Sequence, residues 1–134
     1  MERYYNIAGT TICIRGKDEE MYTQERRLEP FRTEKKEADH DYFFSIVDNL
    51  LESSGDCIYK DETKRIYQDK DRRIQYIGAV KDNLKGAYIR SETWDKIVQV
   101  QVKREHLPEY ITSKVVLNSL GIESLVYQVN GFIL

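Results

Sequence analysis

Two histidines and two cysteines are the side chains of this sequence that most readily carry catalysis or bind metals. His40 and His106 lie far apart, whereas a zinc peptidase needs two histidines one turn apart on a single helix. We therefore expect both histidines to be exposed or to cap helices. Cys13 and Cys57 each lie within an apolar strand pattern, so we expect buried free thiols and neither a disulfide nor a metal site.

Phosphate binding has recognisable loop patterns, and the sequence contains neither G-x-x-x-x-G-K-[ST] nor G-x-G-x-x-G. The single Gly-Lys pair, Gly16-Lys17, is followed by Asp18 and Glu19, whose negative charge would repel a phosphate group. The carboxylates are numerous and mixed with lysine and arginine, so no acid–base pair stands out. The sequence thus indicates no catalytic residue, cofactor or metal ligand, and it favours a non-enzymatic role for this chain alone.

Tyrosine is the more suggestive residue type, because four of the ten tyrosines recur on successive predicted strands: Tyr59, Tyr67, Tyr76 and Tyr88. We expect them to form an aromatic ladder on one sheet face, where cross-strand packing is the simpler interpretation. The functional interpretation is a peptide- or protein-binding surface, since tyrosine combines apolar area with a polar tip. Its basic rim would be formed by Arg65 and Arg73, with Arg72 and Arg90. Stacking of single-stranded nucleic acid is less favoured, because acidic residues lie between these positions.

The composition bounds the class of protein. With 134 residues, of which 40% are hydrophobic, the chain is predicted to fold as one domain over residues 1–134. The 23 acidic and 21 basic residues give a net charge of -2, which indicates neither a nucleic-acid nor an anionic-lipid partner. No segment approaches the roughly 20 apolar residues of a membrane span, and the first residues lack the apolar core of a signal peptide. The sequence therefore predicts a cytoplasmic protein.

The elements that must position these side chains are mainly strands. Residues 4–7 and 10–15 predict a hairpin around Ala8 and Gly9, since glycine readily adopts the positive φ of a tight turn. A charged connection follows at about residues 16–38, pinned by Leu28 and Phe31, and a short helix within it is possible near residues 21–28. The predicted strands that follow it are residues 42–47 and then an antiparallel meander of 57–59, 65–68, 73–77, 86–90 and 97–102.

The last predicted strand shows the clearest alternation. Val98, Val100 and Val102 would share one face, and Ile97, Gln99 and Gln101 the other, so we expect a sheet with one packed side and one largely wet side. The packed side would be covered by helices that start near Pro108, with a final strand over residues 132–134. The apolar surface of these helices would come from Ile111, Val115, Leu117, Leu120, Leu125 and Val126. The predicted class is α+β, an antiparallel sheet of about six to eight strands packed against C-terminal helices.

Several short motifs together resemble a known family. They are residues 5–12 (YNIAGTTI), 28–31 (LEPF), 58–59 (IY), 65–67 (RIY), 118–123 (NSLGIE) and 131–134 (GFIL). This set looks like the region that precedes the kinase core in HPr kinase-like proteins, which are relatives of HPr kinase/phosphorylase and ATP-dependent phosphoenolpyruvate carboxykinase. In that family a Gly-rich phosphate loop follows the strand that resembles residues 131–134. The resemblance therefore implies a non-catalytic N-terminal domain that lacks the nucleotide-binding core.

Two functions remain open on these grounds. The first is a protein- or peptide-binding or assembly module, whose partner could be a kinase-like domain with a P-loop. The second is one part of a split or truncated phosphotransferase, with its phosphate loop on another polypeptide. A homo-oligomer formed through an open sheet edge or through residues 132–134 is compatible with both. The sequence does not identify the partner, the substrate or the pathway.

Overall fold

The computed structural model of the protein describes residues 2–17, 27–78, 84–91, 93, 96–109 and 111–120. These residues form nine strands, one α-helix and two 3₁₀ turns, which are Glu29–Phe31 and Arg104–Glu109. The strands and the helix are β1 (Glu2–Ile7), β2 (Thr10–Gly16), β3 (Arg32–Thr33), β4 (His40–Val47), β5 (Asp56–Lys60), β6 (Lys64–Asp69), β7 (Arg72–Gly78), β8 (Leu84–Ser91), β9 (Ile97–Lys103) and α1 (Ile111–Ser119).

All nine strands belong to one sheet, in the order β3-β1-β2-β4-β9-β8-β7-β6-β5. The predicted meander is confirmed, since β5 to β9 pair antiparallel in sequence order. The α+β class fits, but the expectation of an antiparallel sheet of about six to eight strands is wrong, because the sheet has nine described strands and β4 pairs parallel with both β2 and β9. Short turns can only return a strand antiparallel, whereas β2 and β4, and β4 and β9, are joined by long connections that bring the chain back in the same direction.

The hairpins follow local turn chemistry. Ala8 and Gly9 have φ angles of 51° and 85°, and the Gly9 amide donates to Asn6 Oδ1 at 3.2 Å. These observations confirm the predicted first turn. In the β5–β6 turn the Asp61 carboxylate accepts from the amides of Thr63 and Lys64 at 2.8 and 2.9 Å. The residues of these turns therefore specify the β1–β2 and β5–β6 hairpins. The predicted turn at Asp82 lies outside the described residues.

We call the sheet side that carries Val98, Val100 and Val102 the helix face, because α1 packs there. The three valines are buried, as the alternation predicts, and they join a core with Ile111 and Val115 of α1. The same core contains strand residues from the other half of the sheet and one residue of the connection before β3: Tyr5, Ile7, Ile12, Ile14, Tyr42, Phe44 and Leu28. Pro108 lies inside the second 3₁₀ turn, so α1 begins later than predicted. The predictions for residues 121–134 lie outside the described residues.

We call the opposite side, with Ile74, Tyr76, Ala87 and Ile89, the loop face. These four residues are buried, and Leu50 of the connection after β4 packs against them. The expectation of one wet side is therefore wrong over β7 and β8, although it holds at β9, where Ile97 and Gln99 are exposed. The connection after β4 supplies a cover that the strand pattern alone did not indicate. Among the described residues no helix is long and apolar enough to cross a membrane.

Candidate binding surfaces on the two sheet faces

The strand register separates the four tyrosines that the sequence predicted to lie together. Tyr88 pairs with Val100, which is on the helix face. Across the next strands Tyr88 pairs with Gln75, Gln75 with Ile66, and Ile66 with Tyr59. Tyr59 and Tyr88 therefore both lie on the helix face. Tyr67 pairs with Ile74, and Tyr76 pairs with Ala87, which places these two tyrosines on the loop face. The expectation of one aromatic ladder is wrong, because a shift of one residue in register moves a side chain to the other face.

On the loop face, Tyr67 and Tyr76 form the floor of a concave surface of about 410 Å³, which we call the loop-face groove. Their ring centroids are 5.5 Å apart with the ring planes at 88°, an edge-to-face contact. The Tyr76 hydroxyl donates to the Leu51 carbonyl, and the Leu51 amide donates to Gln101 Oε1 at 2.7 Å. These two bonds fix the connection after β4 as one wall. The groove is lined by Asn49, Leu50, Leu51, Glu52, Ser53, Arg65, Tyr67, Tyr76, Leu84 and Lys103.

Charged side chains of both signs surround the loop-face groove. Arg65 and Lys103 line it against one carboxylate, that of Glu52. Lys103 Nζ already lies 3.0 Å from Glu105, so its charge is partly compensated. Burial raises the pKa of Tyr76, and its hydroxyl therefore stays a neutral donor to the loop. Sequence reasoning identified Arg65 but missed Lys103 and the Leu50-Leu51 pair, whose only signal was two consecutive leucines after a strand.

On the helix face, Tyr88 and Arg73 line a second concave surface of about 390 Å³, which we call the helix-face cavity. The Tyr88 hydroxyl donates to Gln75 Oε1 at 2.6 Å, and Gln75 is buried beneath it. Arg73 Nε donates to Gln68 Oε1 at 3.3 Å. The lining residues are Ile66, Gln68, Arg73, Gln75, Tyr88, Arg90 and Ser91. This surface differs in chemistry from the groove, because amide and guanidinium groups replace the leucines and the aromatic pair.

The remaining candidates of the predicted surface lie apart from both concave surfaces. Tyr59 is on the edge strand β5, where its hydroxyl donates to Asp61 at 2.8 Å and Lys64 Nζ lies 5.4 Å from its ring centroid. Arg72 points to the loop face and lies 3.3 Å from the Asp69 carboxylate. The structure thus brings together Tyr67, Tyr76 and Arg65 in one place, and Tyr88, Arg73 and Arg90 in another.

The histidines and cysteines depart in part from expectation. Cys13 is buried as predicted, but Cys57 is exposed, because β5 is an edge strand with all five residues exposed. His106 is buried, contrary to expectation, since its ring packs within the second 3₁₀ turn and its Nδ1 bonds Glu109 Oε2. His40 is half-buried, and burial lowers the pKa of its imidazole. In the part of the chain that the structure describes, no three His, Cys, Asp or Glu residues come together as metal ligands.

Comparisons with known proteins add no family to this geometry. No family model matches the sequence, and no curated protein and no solved structure matches it either. The resemblance to HPr kinase-like proteins therefore stays a prediction, and the functional argument depends on the two concave surfaces.

Proposed function

We propose that this protein is a non-catalytic binding module whose loop-face groove holds a short acidic and aliphatic segment of a partner protein. The observation that carries the proposal is the Tyr67–Tyr76 pair beneath a wall of Leu50 and Leu51, with Arg65 at the rim. Binding sites for small groups combine an apolar floor with a few placed polar groups, and this groove has both. Its volume of about 410 Å³ suits a few side chains rather than a large cofactor.

The apolar part of the segment would lie on Tyr67. This ring is partly buried and packs edge-on against Tyr76, so it is held in place before a ligand arrives. Aromatic side chains with few rotatable bonds lose little conformational entropy on binding, which is why they serve well as contact residues. Tyr76 is buried and bonded to the connection, so it shapes the groove from below rather than contacting the ligand broadly.

The acidic character of the segment follows from charge complementarity. Two cationic side chains face one carboxylate in the lining, and Lys103 shares its charge with Glu105. Arg65 lines the groove, and its guanidinium can present two parallel donors to a carboxylate of the partner. We expect this contact to weaken as ionic strength rises, because it lies near the surface.

The proposal is tested by titrating ¹⁵N-labelled protein with a five-residue peptide of alternating aspartate and leucine. We expect saturable shifts at Tyr67 and at the Leu50-Leu51 wall. Arg65→Gln should weaken binding about tenfold, which corresponds to one hydrogen bond to a charged group. Arg73→Gln is the matched control, since it removes the same charge from the opposite face and should leave the affinity unchanged. Equal binding of a lysine–leucine peptide would overturn the proposal.

The alternative function, one part of a split phosphotransferase, is carried by the family resemblance alone and stays a prediction. It requires a second polypeptide with a phosphate loop, and calorimetry with Mg-ATP tests the isolated chain directly. Arg73→Gln and Arg90→Lys weaken any phosphate binding by the two arginines of the helix-face cavity. Saturable binding of Mg-ATP that persists in both variants would favour the phosphotransferase, whereas a binding module should show none.

A further inference from the structure

The helix-face cavity contains an unusual pair of like charges. Arg73 on β7 and Arg90 on β8 are directly opposite each other in the strand register, and both line the cavity. Like charges that lie directly opposite each other on neighbouring strands destabilise a sheet. A pair kept in this arrangement is therefore a candidate for a role that needs both positive charges.

The contacts of the two guanidinium groups orient them but leave their charge in place. Arg73 Nε donates to Gln68 Oε1 at 3.3 Å, and Arg90 Nη2 donates to the Ser119 carbonyl at 2.8 Å. Arg90 also hydrogen-bonds the Tyr42 hydroxyl, and all three partners are neutral. None of the described residues that line the cavity is acidic, although the Asp71 carboxylate lies 3.4 Å from the Ser91 hydroxyl.

The other lining groups add apolar surface and neutral polar side chains that are already hydrogen-bonded. Gln68 Nε2 donates to the Lys70 and Arg72 carbonyls at 2.9 and 3.2 Å, and the Ser91 hydroxyl lies 2.9 Å from the Thr93 hydroxyl. Tyr88 and Ile66 lie on either side of Gln75 in the register, so they place apolar surface beside the charged pair. The cavity thus has a cationic end and an apolar end within about 390 Å³.

We propose that the helix-face cavity binds an oxyanion, a phosphate or carboxylate group, between Arg73 and Arg90. Guanidinium groups match the geometry of such anions with two parallel N–H donors, and two of them can hold one anion from adjacent strands. The anion relieves the repulsion between the arginines, and an attached apolar group lies on Tyr88 and Ile66. This inference does not depend on the loop-face groove, which opens on the other side of the same strands.

The test follows the arginine Nε–H signals by NMR at low salt, with inorganic phosphate, phenyl phosphate and benzoate as separate probes. We expect saturable shifts of the Arg73 and Arg90 signals, and weaker binding as ionic strength rises. Tighter binding of phenyl phosphate than of inorganic phosphate would identify an organic phosphate as the ligand class. Tighter binding of benzoate than of phenyl phosphate would identify a carboxylate.

Charge-matched variants separate a built site from general attraction. Arg73→Gln should weaken phosphate binding about tenfold, as the loss of one charged hydrogen bond predicts. Arg72→Gln removes the same charge from the neighbouring residue on the loop face and should change nothing. Arg90→Lys keeps the positive charge but removes the two parallel N–H donors of the guanidinium, so it should still weaken phosphate binding. A lysine also preserves the contact to α1 better than a neutral residue would. Equal weakening by Arg72→Gln and Arg73→Gln, or shifts that never saturate, would overturn the proposal.

Discussion

The loop-face groove and the helix-face cavity are built on the same strands but differ in what makes their walls. The groove is walled by a connection: Leu51 is held by the Tyr76 hydroxyl and by Gln101, and the aromatic pair lies beneath it. The cavity is walled by side chains of the strands themselves, with Gln75 under Tyr88. The groove depends on a loop staying in place, whereas the cavity depends on strand register and on the contact between Arg90 and Ser119 of α1.

This difference shows how an antiparallel meander can present two chemistries at once. Side chains alternate between faces along each strand, so Arg72 and Arg73 serve opposite surfaces although they are neighbours in sequence. The loop face receives the aromatic pair, and the helix face receives the paired arginines. Variants that disturb one face only are therefore the direct way to test whether the two surfaces are independent.

Gly55→Ala should produce the largest effect and should act on the loop face. An added Cβ would lie 2.0 Å from the Gln68 carbonyl oxygen and 2.8 Å from Asp69 Cα, so the end of the connection must move away from β6. Because backbone atoms cannot rotate aside, we expect a loss of unfolding free energy of about 3 kcal/mol, at the upper end for overpacking. Urea denaturation measures this loss.

The same variant also tests whether the two faces respond independently. Peptide binding in the groove should fall in folded Gly55→Ala, while phosphate binding in the cavity stays within twofold of the wild type. Ser54→Ala, at the exposed neighbouring position, is the control. Parallel losses at both surfaces would show that the two faces respond as one unit.

Gly86→Ala should produce the next largest effect and should act on the helix face. Its Cβ would lie 2.9 Å from Val115 Cγ2 of α1 and 3.2 Å from the Gln101 carbonyl oxygen. The valine methyl group can shift in part, so we expect a loss of about 2 kcal/mol rather than the larger loss at Gly55. Thermal denaturation should show the lower midpoint, and Val115→Ala in the same chain should recover part of it. No recovery in the double variant would contradict close packing of α1 on Gly86.

The strands were predictable because their side chains alternate or are β-branched and aromatic. The alternation from Ile97 to Val102 appears in the structure position by position, and the first hairpin follows from Ala8 and Gly9. The parallel pairing of β4 was not predictable, because nothing in residues 40–47 specifies which distant strand lies beside them. Long-range partners depend on the path of the connections, which local patterns do not encode.

The candidate site was predicted by residue type but not by arrangement. All six tyrosines and arginines proposed for one surface lie on β5 to β8, yet the register divides them between two faces. Which sheet face a side chain occupies depends on where each hairpin closes, and the register shifts at residues 57–59 and 77–78 change that face. His106 was mispredicted for a related reason, since only the 3₁₀ turn brings Glu109 to its ring.

Tyr76→Phe and Tyr88→Phe test the two faces separately, and each should lower the free energy of unfolding by about 1 kcal/mol. Tyr76→Phe removes the donor to the Leu51 carbonyl, and Tyr88→Phe removes the donor to the buried Gln75 amide at 2.6 Å. Both losses leave an acceptor unsatisfied, so similar destabilisation is expected in urea denaturation. The two variants should differ in binding: the first weakens only the acidic peptide, and the second weakens only phenyl phosphate. A loss of peptide binding in Tyr88→Phe would contradict the separation of the faces.

Glu109→Gln should give the smallest effect and should reveal the pH dependence of the helix face. Hydrogen bonding from His106, and then from Lys85, lowers the pKa of the Glu109 carboxyl from 4.5 to about 2. A lowered carboxyl pKa adds stability that is present above pH 4.5 and is lost as the pH falls towards 2.

The Glu109 side chain is 42% exposed, so solvent screens the interaction and the shift in melting temperature at pH 7 should be small. That difference between wild type and Glu109→Gln should vanish near pH 2, whereas Glu37→Gln, at a 91% exposed side chain, should show none at either pH. Lys85 and Glu109 fix the turn that leads into α1, so the titration should leave peptide binding in the loop-face groove unchanged. A pH-dependent loss of peptide binding in wild type but not in Glu109→Gln would show that the two faces are coupled.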